Sequence, residues 1–547
     1  MANVYTEEQL HQMSSDELIP LFLSLQEKQG EVERTLQIVL EQLADLKRHR
    51  FGRSTERLDD IPGQLSIFDH EAGEFCFNEA EMIADASSDE SDDSVGEGTA
   101  PPKRGTKKKG KRDADLKNLT VRIVPHTLSE EELNAFFGDE AYKKLPDEIQ
   151  KVIIRIPAQT YIEEHHIEVY SGKESETMIK ADHPHKLLRG SLVSSSLMSD
   201  SMTEKFVNAT PYYRQEQNFE REGIPVTRQD LASWTIKIAK RYLAQIYMLM
   251  RLKLFTVHII HADETPFLVN KDGRPAGVKS YMWVYRTGSM SAGPPVVIYE
   301  YQKTRKADHP LEFLKDFKGI CVTDGYEVYH SIEKKRQELE IAGCWSHARR
   351  RFDEAIKALP KNKRYDTIAG KALSMIKLIF EEESKLKNLT PDERLDIRRE
   401  KIEPMVNAYF KWLKENRHKV MNGTKTASGI DYCLNQESYL RVFLSDGDVP
   451  MHNNPAEQAI RPFCIGKKNW EFCDTPSGAE ASAIVYSIIE TAKANGLRPF
   501  YYLDHVLSVM AEHQKDENKD YLNDLLPWSD KLPKVCYKVV NVQNNNE

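Results

Sequence analysis

Two acidic residues lie at the ends of predicted strands. Asp263 follows an apolar, β-branched run, so we predict a strand over residues 255–263 whose last residue carries a carboxylate. Asp324 follows a second short apolar run, at 319–323, in the same way. A carboxylate held at the end of a strand can serve as a metal ligand. Both residues are therefore candidate ligands of a hard cation.

A third acid, Glu457, opens a predicted helix. Asn454 is a candidate N-cap and Pro455 fits the first helical position, which places Glu457 in the opening turn. A helix N-terminus favours the ionised carboxylate that a metal ligand must be. If Asp263, Asp324 and Glu457 meet, they form an all-oxygen site. Such a site holds two Mg²⁺ (or Mn²⁺) ions, roughly 3.5 to 4 Å apart, for in-line attack on a phosphodiester.

The elements around these acids predict how they would be brought together. Three strands joined by short turns precede a strand, a helix and another strand, the order of a ribonuclease-H-like α/β core. That fold places the first strand beside the fourth, so Asp263 and Asp324 would be neighbours, while Glu264 should face the other side of its strand. Residues 359–450 have a charge-rich helical pattern, which indicates a helical insertion before Glu457. The predicted strands are 255–263, 280–286, 295–301, 319–323 and 341–345.

Basic and aromatic side chains follow two of the acids. The helix after the fifth strand begins with three consecutive arginines, of which Arg349 and Arg350 are candidate phosphate contacts. Lys467 and Lys468 come shortly after the third acid and are interpreted in the same way. Trp470 has two interpretations, since its indole could stack on an unpaired base or pack in the core.

The bulk properties restrict the class of protein. A chain of 547 residues is too long for one hydrophobic core, and its 40% hydrophobic and 29% charged residues fit a globular protein of several domains. The sequence has no run of 18 apolar residues and no apolar signal segment, so we expect a cytoplasmic protein without membrane contact. Seven scattered cysteines without a C-x-x-C pair indicate free thiols and argue against a structural zinc site.

The net charge of −9 is concentrated in one segment. Residues 59–115 have the low apolar content of a disordered linker. Up to Pro102 this linker holds 13 acids and no Lys or Arg, so that removing them from the total of −9 leaves +4. The ten residues after Pro102 hold seven cations and no acid, among them Lys107, Lys108 and Lys109. This basic run is either an arm that contacts DNA or a solubilising tail.

The N-terminal region, 1–58, has the pattern of a leucine-zipper-like helix. Nine residues follow an unbroken 4-3 spacing, one polar residue included, which predicts a coiled coil that begins after Pro20 and a homodimer or higher oligomer. The alternative is an amphipathic helix that packs on the core of its own chain. Arg53, in the basic segment after the heptads, is a candidate DNA contact. The heptad positions are Leu18, Phe22, Leu25, Gln29, Val32, Leu36, Val39, Leu43 and Leu46.

Two regions connect the linker to the core. Residues 116–190 are predicted to form a small α/β domain, with a half-exposed strand over 161–170. Its histidines are interpreted as surface residues because no cysteine accompanies them. Residues 191–254 have helical periodicity and are either a DNA-binding or a packing region. Within them, Thr227 and Asp230 predict the capped start of a helix.

Several short blocks, in one order along the chain, resemble the signature blocks of the insertion sequence 66 family of bacterial transposases. The resemblance extends to FGRS at 51–54, YRQE at 213–216 and a small region around Tyr502, so it covers nearly the whole chain. Several blocks together are far more specific than any one. The main blocks are HADETP at 261–266, TDGY at 323–326, GCWSHARR at 343–350, NNPAEQAIRP at 453–462, KNW at 468–470 and IIETAKANGL at 488–497.

The resemblance implies a DDE transposase, with a leucine-zipper-like N-terminus, a small zinc-binding domain, a ribonuclease-H-like nuclease core and a C-terminal extension. The family's acidic triad maps onto Asp263, Asp324 and Glu457. The segment that matches the zinc-binding domain, at 120–185, lacks the family's paired cysteines, so we carry over no zinc ligand. The implied partners are the DNA ends of the element, target DNA and accessory proteins of the same element, and the implied location is the nucleoid.

We therefore expect a multidomain α+β protein that catalyses metal-dependent DNA strand cleavage and strand transfer. Two other functions stay open: a DNA-binding regulator that has lost its nuclease, and a ribonuclease-H-like nuclease without strand transfer. Glu490 also stays open as the third acid. The expected boundaries are 1–58, 59–115, 116–190, 191–254, 255–358, 359–450, 451–498 and a helical extension at 499–547.

Overall fold

The computed structural model describes residues 13–16, 18–26, 28–29, 160–171, 178–275, 277–288, 290–291, 293–357 and 364–538. Residues 186–537 form one unit, and the described residues between 160 and 185 belong to another. Most of the predicted zipper, the linker, and the candidate DNA contacts Arg53, Lys107, Lys108 and Lys109 lie outside the described residues.

The described N-terminal residues are helical on both sides of Pro20. Residues 15–16, 18–26 and 28–29 have helical geometry, so Pro20 does not interrupt the helix as the prediction assumed. The heptad side chains of Phe22 and Leu25 are 61% and 60% exposed. The coiled coil itself stays a prediction, since most of its heptads lie outside the described residues.

The strand predicted over 161–170 is much shorter in the structure. Strand β1 (Val169–Ser171) pairs antiparallel with β2 (Met178–Lys180), and residues 160–168 have no regular structure. The alternating pattern predicts a half-buried strand, but Tyr161 and Ile162 are 76% and 89% exposed. Among the described residues of this unit, the chain forms a strand only where β2 pairs with it.

The predicted helical region is helical from Ser195 to Leu254, apart from connections at 207–211 and 222–227. In the third helix, the Thr227 hydroxyl accepts from the backbone N–H of Asp230 and the Asp230 carboxylate accepts from that of Thr227, which confirms the predicted cap. Buried side chains such as Met198, Leu231 and Met250 show that these helices pack on the core. The elements are α1 (Ser195–Phe206), α2 (Tyr212–Arg221), α3 (Arg228–Ile238), a π-helical turn (Ala239–Leu243) and α4 (Ala244–Leu254).

A six-stranded mixed sheet forms the centre of the fold. Its order is β5-β4-β3-β6-β7, with β3, β4 and β5 antiparallel and with β6 and β7 parallel to β3. The first strand of this sheet thus lies beside the fourth, as predicted. A two-residue strand that we did not predict, β8, pairs with the far end of β3. The strands are β3 (Ile259–Val269), β4 (Lys279–Thr287), β5 (Val297–Gln302), β6 (Gly319–Thr323), β7 (Leu339–Gly343) and β8 (Phe472–Cys473).

Strand β3 differs from its predicted bounds. It begins at Ile259 rather than at 255, because Phe255 still caps the preceding helix. It also continues to Val269, so Asp263 lies in the middle of the strand and not at its end. Strand β6 pairs with β3 only as far as His261. Asp263 therefore lies just beyond the point where its parallel neighbour ends.

The remaining elements are helical, and the predicted insertion is confirmed, since no strand occurs among residues 364–450. None of the described helices is long and apolar enough to cross a membrane. The first group is α5 (Asp308–Phe313), α6 (Glu327–Glu333) and α7 (Trp345–Lys357). The insertion contains α8 (Ile368–Ser384), α9 (Pro391–Ile397), a π-helical turn (Arg398–Ile402), α10 (Glu403–Asn416), α11 (Lys425–Asn435) and α12 (Glu437–Arg441). The last group is α13 (Asn454–Trp470), α14 (Pro476–Ala494) and α15 (Pro499–Glu512), with 3₁₀ turns at Asp520–Leu525 and Lys534–Cys536.

The sheet separates two hydrophobic cores. Ile259 and Ile320 pack in the core that the sheet shares with the helical insertion. Ile260 and Cys321 pack in the opposite core, which includes α1, α4, α14 and α15. Successive residues of a strand point to opposite faces. This alternation decides which side chains reach the candidate site.

Candidate active site

Strand alternation places Asp263 on the side of the sheet that faces the helical insertion. Asp263 is four residues after Ile259, which packs in the core shared with the insertion. Glu264 has the parity of Ile260, which faces the opposite core. Asp324 directly follows the last residue of β6, the strand beside β3.

The three predicted acids are close enough for their charges to interact. Burial raises the pKa of Asp263 well above its usual value, and the carboxyls of Glu264, Asp324 and Glu457 raise it further. One hydrogen bond opposes this shift, from the backbone N–H of Glu264 to Asp263 Oδ1 at 2.8 Å. Negative charges this close to a buried carboxyl favour its neutral form unless a cation compensates them.

The turn after β6 explains the block TDGY. Asp324 Oδ1 accepts from the backbone N–H of Tyr326 at 2.9 Å, and the Tyr432 hydroxyl donates to the Asp324 carbonyl at 2.8 Å. Gly325 has a φ of +88°, and a Cβ there would lie 2.8 Å from the Tyr432 oxygen. Glycine is therefore required both for the backbone conformation and for the close approach of α11.

Glu457 is positioned by an asparagine with an unexpected role. Asn453, rather than Asn454, is the N-cap of α13, and its side chain does not cap the helix. Its Nδ2 donates to the Ala262 carbonyl at 2.8 Å, so its Oδ1 accepts from His261 Nδ1 at 2.9 Å. Burial lowers the pKa of His261 to about 3, so this imidazole is neutral. The fully buried Asn453 thus fixes the start of α13 beside β3, next to Asp263.

Asn453→Ala is expected to lower the free energy of unfolding by about 1–3 kcal/mol, because it leaves buried groups on His261 and Ala262 without partners. Denaturant unfolding would measure the loss. Asn454→Ala is the matched control, since the Asn454 side chain makes one long contact, 3.4 Å from the Ser346 hydroxyl. Equal effects of the two substitutions would contradict the anchoring role.

Two basic side chains from α7 contact Glu457. Its Oε1 lies 3.7 Å from His347 Nδ1, and its Oε2 lies 3.5 Å from Arg350 Nη2. Burial lowers the pKa of His347, but the Cys344 sulfur, Glu457 and Asp324 together raise it to about 9. Arg349 instead lies against the ring of Phe380, with its guanidinium carbon 5.8 Å from the ring centre. Of the two predicted arginines, Arg350 thus faces the acid.

The three predicted DNA contacts on α13, Lys467, Lys468 and Trp470, have different surroundings. Lys467 Nζ donates to the Thr265 hydroxyl at 2.9 Å and to the Pro266 carbonyl at 2.6 Å, close to Asp263 along β3. Lys468 is exposed. Trp470 packs edge-on against Phe463, with ring centres 5.4 Å apart, which supports its interpretation as a packing residue. DNA contacts by these side chains stay predictions.

Residues 190–481 match the family model described as Transposase IS66 family. The chain belongs to this family of transposases. Residues 487–528 match the IS66 C-terminal element. Residues 39–124 match a model described as Transposase C of IS166 homeodomain, which covers the end of the predicted zipper and the predicted linker.

Two relatives of this transposase come from Sinorhizobium fredii. The uncharacterized protein y4hP is 27% identical over 512 residues, which cover 90% of this chain and 88% of y4hP. The uncharacterized protein y4qI is 27% identical over 500 residues, which cover 88% of this chain and 87% of y4qI. The similarity therefore extends over most of each protein.

Two other acids of the transposase have structural partners of their own. Glu264 is 2% exposed at its side chain and accepts from Arg305 Nε at 2.8 Å and from the Tyr329 hydroxyl at 3.0 Å. We did not predict these partners, which no local sequence signal marks. Glu490 lies 2.8 Å from Lys493 Nζ, and it is not among the charges that shift the pKa of Asp263. This arrangement favours Glu457 over Glu490 as the third acid.

The oxygen donors of the transposase fit hard divalent cations. Carboxylates are the ligands that Mg²⁺ and Mn²⁺ prefer, and the charges that raise the pKa of Asp263 are those a cation would compensate. The three carboxylates do not converge on one point, since among the described residues Asp263 and Asp324 are not part of any group of ligand atoms within 4.8 Å of one another. Two ions about 3.5 to 4 Å apart require a wider spread of ligands than one ion does.

Proposed function

We propose that this transposase cleaves DNA strands and transfers them at the ends of an insertion sequence, with Asp263, Asp324 and Glu457 as its metal-binding acids. The observation that carries the proposal is that Asp324 and Glu457, which come from separate elements, both raise the pKa of the partly buried Asp263. The strand order β5-β4-β3-β6-β7, with the first three strands antiparallel, supports a ribonuclease-H-like core.

The acids act together in this proposal. Divalent cations, when bound, would activate the attacking water or DNA 3′-hydroxyl and stabilise the leaving oxygen. Asp263 interacts with both other acids, and the three carboxylates together would hold the cations. Arg350 contacts the Glu457 carboxylate. Its positive charge would therefore lie beside a DNA phosphate bound at the three acids.

A basic groove gives the transposase a further surface suited to DNA phosphates. Residues from 188–191 and from α3 and the following π-helical turn enclose about 730 Å³. Its lining includes four exposed cations and no acid. Clustered cations without acidic neighbours bind the nucleic-acid backbone through release of counterions. The cations are Arg189, Lys237, Lys240 and Arg241.

The double substitution Lys237→Glu and Lys240→Glu is expected to weaken DNA binding at all sequences. Removing two phosphate contacts should reduce the slope of log Kd against log salt concentration by about 2. Fluorescence anisotropy with a labelled duplex at several salt concentrations would measure this slope. Lys315 and Lys531, exposed lysines that are paired with acids, provide a control with the same charge change. An unchanged slope would remove this groove from the DNA-binding surface.

The alternative function, a nuclease without strand transfer, shares the same acids. A joining assay separates the two functions. The transposase is mixed with a labelled element end that carries a free 3′-hydroxyl and with a target duplex, and the control end carries a 3′-deoxy terminus. We expect a joined product with the hydroxyl end alone. Cleavage of a complete element end without any joining of the hydroxyl end would favour the simple nuclease.

A further inference from the structure

A donor set containing sulfur and nitrogen lies beside the acidic triad. Cys344 Sγ, a ring nitrogen of His347 and a carboxylate oxygen of Glu457 all lie within 4.8 Å of one another. Cys344 is fully buried, while the side chains of His347 and Glu457 are 22% and 16% exposed. Thiolate, imidazole and carboxylate together select Zn²⁺ and similar thiophilic ions, whereas Mg²⁺ prefers oxygen alone.

Rigid elements hold these three donors. Cys344 directly follows β7, His347 lies in the first turn of α7, and Glu457 lies in the first turn of α13. The backbone N–H of Asn453 donates to Cys344 Sγ at 3.1 Å. A hydrogen bond to a ligand sulfur orients it and stabilises its thiolate form, as the surrounding residues of metal sites commonly do.

Two of the donor atoms, His347 Nδ1 and Glu457 Oε1, face each other. His347 Nδ1 and Glu457 Oε1 are 3.7 Å apart, both atoms are buried, and neither has a hydrogen-bond partner among the described residues. Glu457 Oε2 faces Arg350, which leaves Oε1 for another ligand. Tetrahedral zinc with bonds of 2.0–2.1 Å needs nitrogen and oxygen ligands roughly 3.3 Å apart. A small inward movement of either side chain would therefore bring these two atoms to that spacing.

We propose that Cys344, His347 and Glu457 bind one thiophilic divalent cation, such as Zn²⁺, at a site distinct from the all-carboxylate site. Glu457 belongs to both donor sets, so an ion bound to Cys344 and His347 takes a ligand from the acidic triad. This binding does not depend on the proposed cleavage and strand transfer. It can therefore be tested without any assay of DNA chemistry.

The test is a titration of the EDTA-treated full-length protein with Co²⁺, whose absorption reports its ligands. We expect one equivalent of Co²⁺ to produce a sulfur-to-cobalt charge-transfer band and the visible bands of a tetrahedral ion, and Zn²⁺ to displace it. Cys344→Ser, which keeps an acceptor for the Asn453 N–H, should remove the charge-transfer band. His347→Ala should weaken binding by about 100-fold or more.

The matched control is Cys464→Ser, because Cys464 is partly exposed and contacts Thr265 rather than this donor set. That variant should bind Co²⁺ as the wild type does. A wild-type protein without the charge-transfer band would overturn the proposal. A band that persists in Cys344→Ser and disappears in Cys464→Ser would overturn it as well, since the sulfur ligand would then be another cysteine.

Discussion

Asp263→Asn is expected to lower the rate of metal-dependent DNA cleavage at least about a thousandfold, equivalent to about 4 kcal/mol of transition-state free energy. The amide keeps the volume of the side chain but removes a charge that would help to hold the cations. DNA affinity should change little, because the basic groove and the arginines are unaffected. Single-turnover cleavage of a labelled duplex and a binding titration with the same duplex would measure the two quantities.

Glu264→Gln is the matched control, since it alters the next residue of the same strand. The Glu264 side chain is 2% exposed, faces the opposite core and bonds to Arg305 and Tyr329. We expect its cleavage rate to stay within about 100-fold of the wild-type rate, the size of effect that a supporting residue has on a metal site. The opposite result, with loss of cleavage in Glu264→Gln and retention in Asp263→Asn, would show that the assigned acid is wrong.

Asp263→Asn is also expected to stabilise the metal-free protein, by about 1–2 kcal/mol at neutral pH. Burial and then the charges of Glu264, Asp324 and Glu457 raise the pKa of Asp263 above 3.8, so its ionised form destabilises the folded state. Because the pKa of Asp263 is higher in the folded state, that state binds more protons than the unfolded state between pH 3.8 and the folded-state pKa. The wild type therefore loses stability as the pH rises from 3.8, and the advantage of the variant should vanish below that value.

Thermal unfolding in EDTA and in Mn²⁺ would measure this effect. In EDTA at neutral pH, Asp263→Asn should unfold at a higher temperature than the wild type. Mn²⁺ should stabilise the wild type, by about 2.7 kcal/mol at 100 times its Kd, and the variant far less. Asp308→Asn removes an exposed acid and should behave as the wild type does. An equal Mn²⁺ effect on Asp263→Asn would place the ion elsewhere.

Local patterns predicted much of the fold. The bounds of β6 are those predicted, and β4 and β5 differ by one or two residues, because short apolar runs between turn residues determine a strand locally. The start of β3 was wrong because its apolar pattern begins while the chain is still leaving α4. The strand at 161–170 was also wrong, since Tyr161 and Ile162, which its alternation would place on opposite faces, are both exposed.

In the candidate site, the three acids could be predicted from the sequence, but the side chains that position them could not. Asp263, Asp324 and Glu457 are marked by their places at predicted elements and by the family blocks. The side chains that position them act across long sequence separations, which no local pattern reveals. Asn453 reaches His261 and Ala262 on β3, and its backbone contacts the Cys344 sulfur. The zipper, the linker and the basic arm stay predictions.

The most direct test of the central claim is strand cleavage of a labelled duplex that carries the element's own ends. Wild type and Asp324→Asn are compared with Mg²⁺, with Mn²⁺ and with EDTA, and the accessory proteins of the element are supplied in every reaction. The predicted result is nicking by the wild type that requires the cation and that disappears in Asp324→Asn, while both proteins bind the duplex. Nicking by Asp324→Asn at the wild-type rate would contradict the assignment of the acidic triad.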